Sequence, residues 1–279
     1  MSLDDKIEKM TDFEDVIKGV INRTLDIDGD FDRIYIDINS VVSIAFRAEN
    51  IASDKIADAV FGAFERLMTK FAPKNTEIYL LFSTQNSKYH TNIYPDWCKS
   101  RYERVNLSKS DVVKQLIFAM KKFSEKNKLV RVINTKEFHP ALIIKYLEQG
   151  VKTNFIISSK DTVFYGLDID HGVLFTGVRY IDYSNDISIF TDKHSDNEIP
   201  RKFVKFYHAL CRDERNEFPG VGNKTGPGRT LKYLKDYKLE LETGLEHPHK
   251  EWVDKYSKLY DVGEMLMIAD KEKLNKIIS

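Results

Sequence analysis

The stretch from Arg212 to Leu231, RDERNEFPGVGNKTGPGRTL, decides how the rest of the chain is read. It sets four glycines and two prolines between two helix-like segments, with Lys224 and Arg229 inside it and Lys232 just after. A glycine-rich turn that feeds a helix N-terminus points backbone N–H groups outward, and such a turn can grip a phosphate. Gly220, Gly222, Gly226 and Gly228 supply the turn; Lys224 and Arg229 supply the charge.

The surrounding chain is ordinary for a globular protein, with 42% hydrophobic and 31% charged residues over 279 positions. No apolar run is long enough for a membrane span, and the acidic, polar N-terminus does not read as a signal peptide. Cys98 and Cys211 lack metal-ligand spacing and are too few for a disulfide framework, which points to a reducing, cytoplasmic setting. Charges balance at 43 basic and 43 acidic, which argues against a dedicated nucleic-acid binder. Their distribution is uneven. Residues 1–32 hold ten acids and four bases; residues 201–238 hold ten bases and four acids. Each block also reads simply as a solvated helix face.

Short β-branched runs predict strands at 33–39, 77–83, 129–135 and 154–159, and a hairpin over 173–183. Helical spacing covers 53–72, 108–127 with Ser108 as N-cap, and 140–149 with Pro140 in the first turn. From about 197 the pattern turns helical to the end. Alternation of strand and helix predicts an α/β fold with a mostly parallel central sheet flanked by helices. Sites in such sheets form beyond the carboxyl ends of the strands, where Asp37, Ser83, Glu137 and Asp161 fall.

In that order and spacing the chain resembles the 5′-nucleases, the flap endonuclease and 5′–3′ exonuclease family. The 212–231 segment resembles the family's helix–three-turn–helix pattern GDxxDNxPGVxGIGxKTA, with Asp213 at the first Asp and Asn216 at the second. Asp37 in IYIDINS matches the metal-binding Asp that closes the first strand. STQNSKYHTNIYPDWCKSR, 83–101, matches the family's D…R…YPxYKxxR stretch. Ser83 stands there for a metal-binding Asp, His90 for an Arg, and Cys98 for a Lys that contacts substrate phosphate. Lys99 is a partial substitute, and Arg101 fits. KEFHPALIIKYL matches the EADD or EAEA helix through Glu137, with His139 and Pro140 in place of the following acids. IISSKDTVFYGL resembles ISTxDxDxxxL, with Asp161 at the first acid and Val163 at the second; without a one-residue insertion, Lys160 would face the metals. The resemblance implies three parts: an acidic helical arm (1–32), a PIN-like α/β domain (33–196) and a helical region (197–279).

The family's chemistry is two-metal phosphodiester cleavage, with ions about 4 Å apart held by hard oxygen ligands. Four acids remain: Asp37, Glu137, Asp161 and Asp213. Ser83, His139, Val163 and Asn216 stand where others belong. The expectation is a degenerate site in which Asp37, Glu137 and Asp161 hold at most one ion, Mg²⁺ or Mn²⁺, with His139 suited to a softer metal. Each residue also has a plainer reading. Asp37 and Asp161 can cap the helices that follow them, and Glu137 can face a helix dipole. Asp213 can be a surface acid paired to Arg212 or Arg215, and His139 can be a helix-start residue. Tyr94 and Trp97 can anchor their loop.

The functional expectation is therefore a pseudoenzyme that acts as an adaptor for protein partners or binds branched or single-stranded DNA without cutting it. The alternative is a divergent, metal-dependent flap endonuclease or 5′–3′ exonuclease. An RNA-directed PIN nuclease would lack the 212–231 segment. A Lys-, Ile- and Asn-rich chain of this kind suits a large bacteriophage and the cytoplasm of its host.

Overall fold

The computed structural model describes residues 19, 21–23, 25–42, 53–100, 111–185, 187–190, 198–223, 225–243 and 248–279. Ser108, Arg101, Lys224 and most of the acidic arm lie outside the described residues. Six strands form the main sheet: β1 (Arg33–Asp37), β2 (Glu77–Phe82), β3 (Val130–Asn134), β4 (Phe155–Ser158), β5 (Val173–Phe175) and β6 (Tyr180–Asp182). Their order is β3-β2-β1-β4-β5-β6, parallel throughout except for the antiparallel β5–β6 edge pair.

The strands alternate strictly between two buried faces. Ile34, Ile36, Ile78, Leu80 and Ile156 face one side, where α2 (Ser53–Phe71) and α4 (Asp111–Lys126) cover them through Val60, Phe64, Met120 and Phe123. Tyr35, Tyr79, Leu81 and Ile157 face the other side, against α5 (Pro140–Glu148) and helices from the far end of the chain. Burial on both faces is why these runs read as continuous apolar stretches. It is also the main stabilising term, at about 25 cal/mol for each Å² of apolar surface removed from water.

Short helices α1 (Ile38–Val42) and α3 (Lys88–Ile93) follow β1 and β2. The later helices are α6 (Val204–Leu210), α7 (Pro227–Thr243), α8 (Lys250–Tyr256), α9 (Val262–Ile268) and α10 (Lys271–Ile278). Tyr260, Met265, Leu266 and Leu274 join the core of the second sheet face, so one core spans both sides of the expected boundary at 196/197. The expectation of unbroken helix from 197 needs correcting. Strand β7 (Ile187–Phe190) pairs antiparallel with a further strand, β8 (Glu198–Pro200). Only three residues long, β8 is too short to show a period of two.

The chain builds β2 and β3 on one side of β1, then returns to place β4 on the other. The crevice at the carboxyl ends of β1 and β4 is thus the topological switch point, the position where open α/β sheets bind ligands. Asp37 ends β1, and Ser159 and Asp161 follow β4 directly.

Candidate active site

Four short segments converge on that crevice. Asp37 is 4% exposed, accepts from the Ser40 N–H at 3.3 Å and accepts from Ser159 Oγ at 2.7 Å. Ser159 Oγ in turn accepts from the Asp161 N–H at 3.1 Å, so one hydroxyl joins the first two acids. Burial, and then the Asp161 charge, push the Asp37 carboxyl above its ordinary range; the Arg215 charge and the Ser159 hydroxyl pull the other way. Asp161 N-caps the 3₁₀ turn Thr162–Gly166, accepting from the Val163 N–H at 3.1 Å. Val163 itself is fully buried and packs into the core, so it supplies no ligand.

Asp213 is placed by the glycine-rich segment. Its backbone pairs with Phe218 in both directions at 2.9 Å, closing a tight loop over 213–218. Its Oδ1 accepts from the Arg215 and Asn216 N–H groups at 3.1 and 3.2 Å. Its Oδ2 accepts from Thr162 Oγ1, from Tyr260 OH at 3.2 Å and from Asn216 Nδ2 at 2.9 Å. Asp213 is buried, so it is not the surface acid that the sequence also allowed.

Asn216 is the hub. Its fully buried amide nitrogen lies 3.1 Å from Asp161 Oδ1, 2.9 Å from Thr162 Oγ1 and 2.9 Å from Asp213 Oδ2. Its Oδ1 accepts from the Cys98 thiol at 3.1 Å, and its backbone oxygen accepts from the Cys98 N–H at 3.0 Å. A neutral amide therefore links two carboxylates that would otherwise face each other across the site. Cys98 and Asn216 stand 118 positions apart in sequence, and their pairing carries no sequence signal.

The other substituted positions are built into the frame. Ser83 Oγ lies 2.5 Å from the carbonyls of both Gln85 and Lys136, and ties the end of β2 to the turn before α5. His90 is fully buried between Ser87 Oγ, 2.8 Å from Nδ1, and the Leu259 carbonyl, 2.9 Å from Nε2. The carbonyl requires a proton on Nε2, so Nδ1 accepts from the serine. Burial pushes His90 down to about 3, leaving it neutral and stacked on Trp97 at 4.7 Å. It holds no phosphate charge. Trp97 is buried and meets Tyr260, and Tyr94 meets Phe218 edge-on, so both anchor their loop. His139 caps α5 through Nδ1, which accepts from the Ala141 N–H at 3.1 Å; its Nε2 lies 3.6 Å from Asp161 Oδ2. Pro140 occupies the first turn of α5 behind it.

Glu137 stands apart from the other acids. Its carboxylate pairs with Lys273 at 2.9 Å and lines a separate cavity of about 500 Å³ between α3, α5 and the C-terminal helices. The cavity lined by Asp37, Ser83, Cys98, His139, Pro140 and Asp161 excludes it. Lys273 is 136 residues away in sequence, so nothing local foretells the diversion. The space beside Asp37 and Asp161 is about 20 Å³, room for about one water. Among the described residues no three His, Cys, Asp or Glu side chains gather for a metal ion. Two hydrated Mg²⁺ ions need several free oxygen ligands each. Here Val163 is apolar, Asn216 contributes an amide donor, and Asp37, Asp161 and Asp213 are each engaged by protein donors.

The glycine-rich turn has the geometry its composition implies. Gly220 (φ 68°) and Gly222 (φ 70°) adopt left-handed conformations, and a Cβ on Gly220 would lie 2.6 Å from Arg212 N. Gly226 and Gly228 flank Pro227 at the start of α7, with open space where side chains would project. Arg229 is exposed there, and so is Lys232 one turn on. Lys99 is exposed and pairs with Asp96 at 3.2 Å.

A switch-point acid cluster joined to a helix–turn–helix of this kind defines the 5′-nuclease fold, and the chain has that fold. It is similar in structure to the T5 D15 protein co-crystallised with metal ions (TM-score 0.61, 13% identity, covering 88% of this chain and 96% of that one). It is equally similar to a variant of the bacteriophage T5 D15 flap endonuclease in a pseudo-enzyme–product complex with DNA and metal ions (0.60, 14%, 88% and 96%). A mutant of T5 5′-exonuclease aligns likewise (0.57, 13%, 88% and 97%). No protein-family model and no curated protein sequence matches the chain. Among the described residues no helix is long and apolar enough to cross a membrane.

Proposed function

We propose that this protein is a catalytically degenerate 5′-nuclease that binds DNA without hydrolysing it. The observation that carries the reading is the Asn216 amide, which donates to Asp161 and Asp213 at the centre of the acid cluster. An ion would supply positive charge there; the amide supplies two N–H donors and leaves the acids engaged. The Arg215 charge further offsets Asp37. Without a metal pair, nothing polarises the scissile phosphate or activates a water.

Binding is supported separately. Gly226, Gly228 and Arg229 present an open helix start with adjacent positive charge, suited to a backbone phosphate. A similar fold has been crystallised with DNA in a form described as a pseudo-enzyme–product complex. The acidic 1–32 block favours a second role as an adaptor for a basic protein partner.

The test is a labelled 5′-flap DNA, scored for binding and for cleavage in Mg²⁺ and then Mn²⁺. Binding that weakens steeply with salt, with no cleavage in either metal, is expected. Arg229→Ala should lower the magnitude of the log–log salt slope by about 0.9. Cleavage that is abolished by Asp37→Ala overturns the proposal in favour of a divergent active nuclease. No binding at low salt leaves the adaptor role.

A further inference from the structure

An open cavity of about 870 Å³ lies between the glycine-rich turn and α8, with Val221 of the turn on one wall and Trp252 and Tyr256 on the other. The two aromatic residues are one helical turn apart on α8, and both are half-buried. Their ring centroids are 4.5 Å apart at 51°, so neither ring fully covers the face of the other. The Trp252 indole N–H donates to the Ala209 carbonyl at 2.8 Å, which fixes that ring in place. Phe218 packs behind both, with centroids 6.0 Å from Trp252 and 5.3 Å from Tyr256. Phe218 also closes the 213–218 loop with Asp213, so the loop that shapes the acid cluster supports this aromatic wall. Lys250 and Lys255 stand on the wall with one acid, Glu251, and Lys255 Nζ lies 4.9 Å from the centre of the Tyr256 ring.

We infer that this cavity takes an unpaired base of the DNA strand, stacked against Trp252 and Tyr256. A planar ring suits held aromatic faces that are still partly wet, and fixing Trp252 in advance removes part of the ordering cost of binding. A base inside a duplex has its faces covered by its neighbours; a base in a flap or single strand does not. Glu251 offsets one of the two lysines, so the wall attracts phosphate only weakly and stacking carries the recognition. Every base has such a face, so the site is tolerant of sequence. The inference rests on the DNA-binding reading and adds to it the part of the substrate that is recognised.

The experiment uses the full chain and two 5′-flap DNAs that differ only in the flap, which is thymidine in one and abasic in the other. Both carry the same phosphates. Binding is followed in EDTA over a salt series, by anisotropy of a labelled duplex end and by tryptophan emission with unlabelled DNA. The chain has two tryptophans, and Trp97 is buried, so a stacked base should quench Trp252. The thymidine flap should quench the wild type and bind about tenfold more tightly than the abasic flap. Trp252→Phe keeps a ring for stacking and should abolish the quenching. Tyr256→Leu should weaken the thymidine flap alone, with an unchanged salt slope; a merely structural tyrosine would weaken both flaps alike. If the wild type binds both flaps equally and without quenching, while Arg229→Ala weakens both, this site is refuted and the DNA-binding reading stands. If neither DNA binds at low salt, both fail. If thymidine monophosphate alone quenches Trp252 as tightly as the flap does, the cavity serves a free nucleotide and the assignment to a strand is overturned.

Discussion

Replacing Asn216 with Asp restores the acid that the helix–three-turn–helix pattern carries, and the cost follows from the contacts. The amide donates to Asp161 Oδ1 and Asp213 Oδ2 at 3.1 and 2.9 Å. The carboxylate introduced by Asn216→Asp, if ionised, would face both acids at about 3 Å, worth about 5 kcal/mol of repulsion per pair at an effective dielectric constant of about 20. Taking up a proton instead costs about 4 kcal/mol at about pH 7, from a reference value of about 3.9. Protonation is therefore the cheaper outcome. The single O–H then replaces only one of two charge-assisted hydrogen bonds, and the lost one is worth about 1.5–3 kcal/mol. The expected penalty is about 5–7 kcal/mol near neutral pH, comparable to the whole stability of many domains. Between about pH 7 and about pH 5 about 3 kcal/mol should return, at about 1.4 kcal/mol per pH unit. Urea unfolding of Asn216→Asp and wild type, at several pH values in EDTA and in Mg²⁺, reads this directly. Stabilisation of the variant alone by Mg²⁺ would show that the amide had been standing in for an ion. An Asn216→Asp protein within about 1 kcal/mol of wild type at about pH 8 in EDTA, and insensitive to Mg²⁺, would refute the reasoning.

Three further outcomes follow from the same geometry. Gly220→Ala places a Cβ 2.6 Å from Arg212 N at φ 68° and should cost about 2–5 kcal/mol by urea unfolding. Gly222→Ala, at φ 70° with its nearest atom 3.9 Å away, should cost only about 1–2 kcal/mol. Equal losses at the two positions would contradict the close-approach argument. His90 and His208 are pushed down by burial to about 3 and about 4, so both stay neutral in the fold while the unfolded chain takes up protons below about 6.5. Their contribution is present above pH about 6.5 and falls by about 1.4 kcal/mol per pH unit each as pH drops, a loss of about 4 kcal/mol together at about pH 5. Asp37, raised by burial and by Asp161, acts in the opposite direction at lower pH. His90→Gln should therefore flatten the slope between about pH 5 and 6 by about one proton; an unchanged slope would show that His90 titrates normally.

The sheet is legible in the sequence because its strands are buried on both faces. RIYIDIN and EIYLLFS have the composition of buried strands and of little else, and the turn glycines mark a left-handed loop. The strand-end position of Asp37, Ser83 and Asp161 is legible for the same reason. What stays open are pairings made by distant segments. Asn216 reads in sequence as a weak, neutral substitute for an acid; in the fold it is the donor that joins two acids. Glu137 reads as a surviving ligand, and only the packing of α10 brings Lys273 to draw it away. His90 reads as a lost phosphate contact, whereas its ring pins the chain near Leu259. Lys160 reads as a residue that would oppose metals, and Arg215 only as a surface partner for Asp213. In the fold the Lys160 backbone N–H and the Arg215 guanidinium both donate to Ser40 Oγ, from three segments that the sequence holds far apart.

The central claim is that protein donors have replaced a metal pair at the switch point. Titrating Mn²⁺ into the wild-type protein and following the free-ion signal by electron paramagnetic resonance tests it most directly. The account predicts that the signal rises as in buffer up to millimolar Mn²⁺, in wild type and in Asp37→Ala alike. Disappearance of two equivalents of free Mn²⁺ per chain, restored to solution by Asp37→Ala, would contradict it.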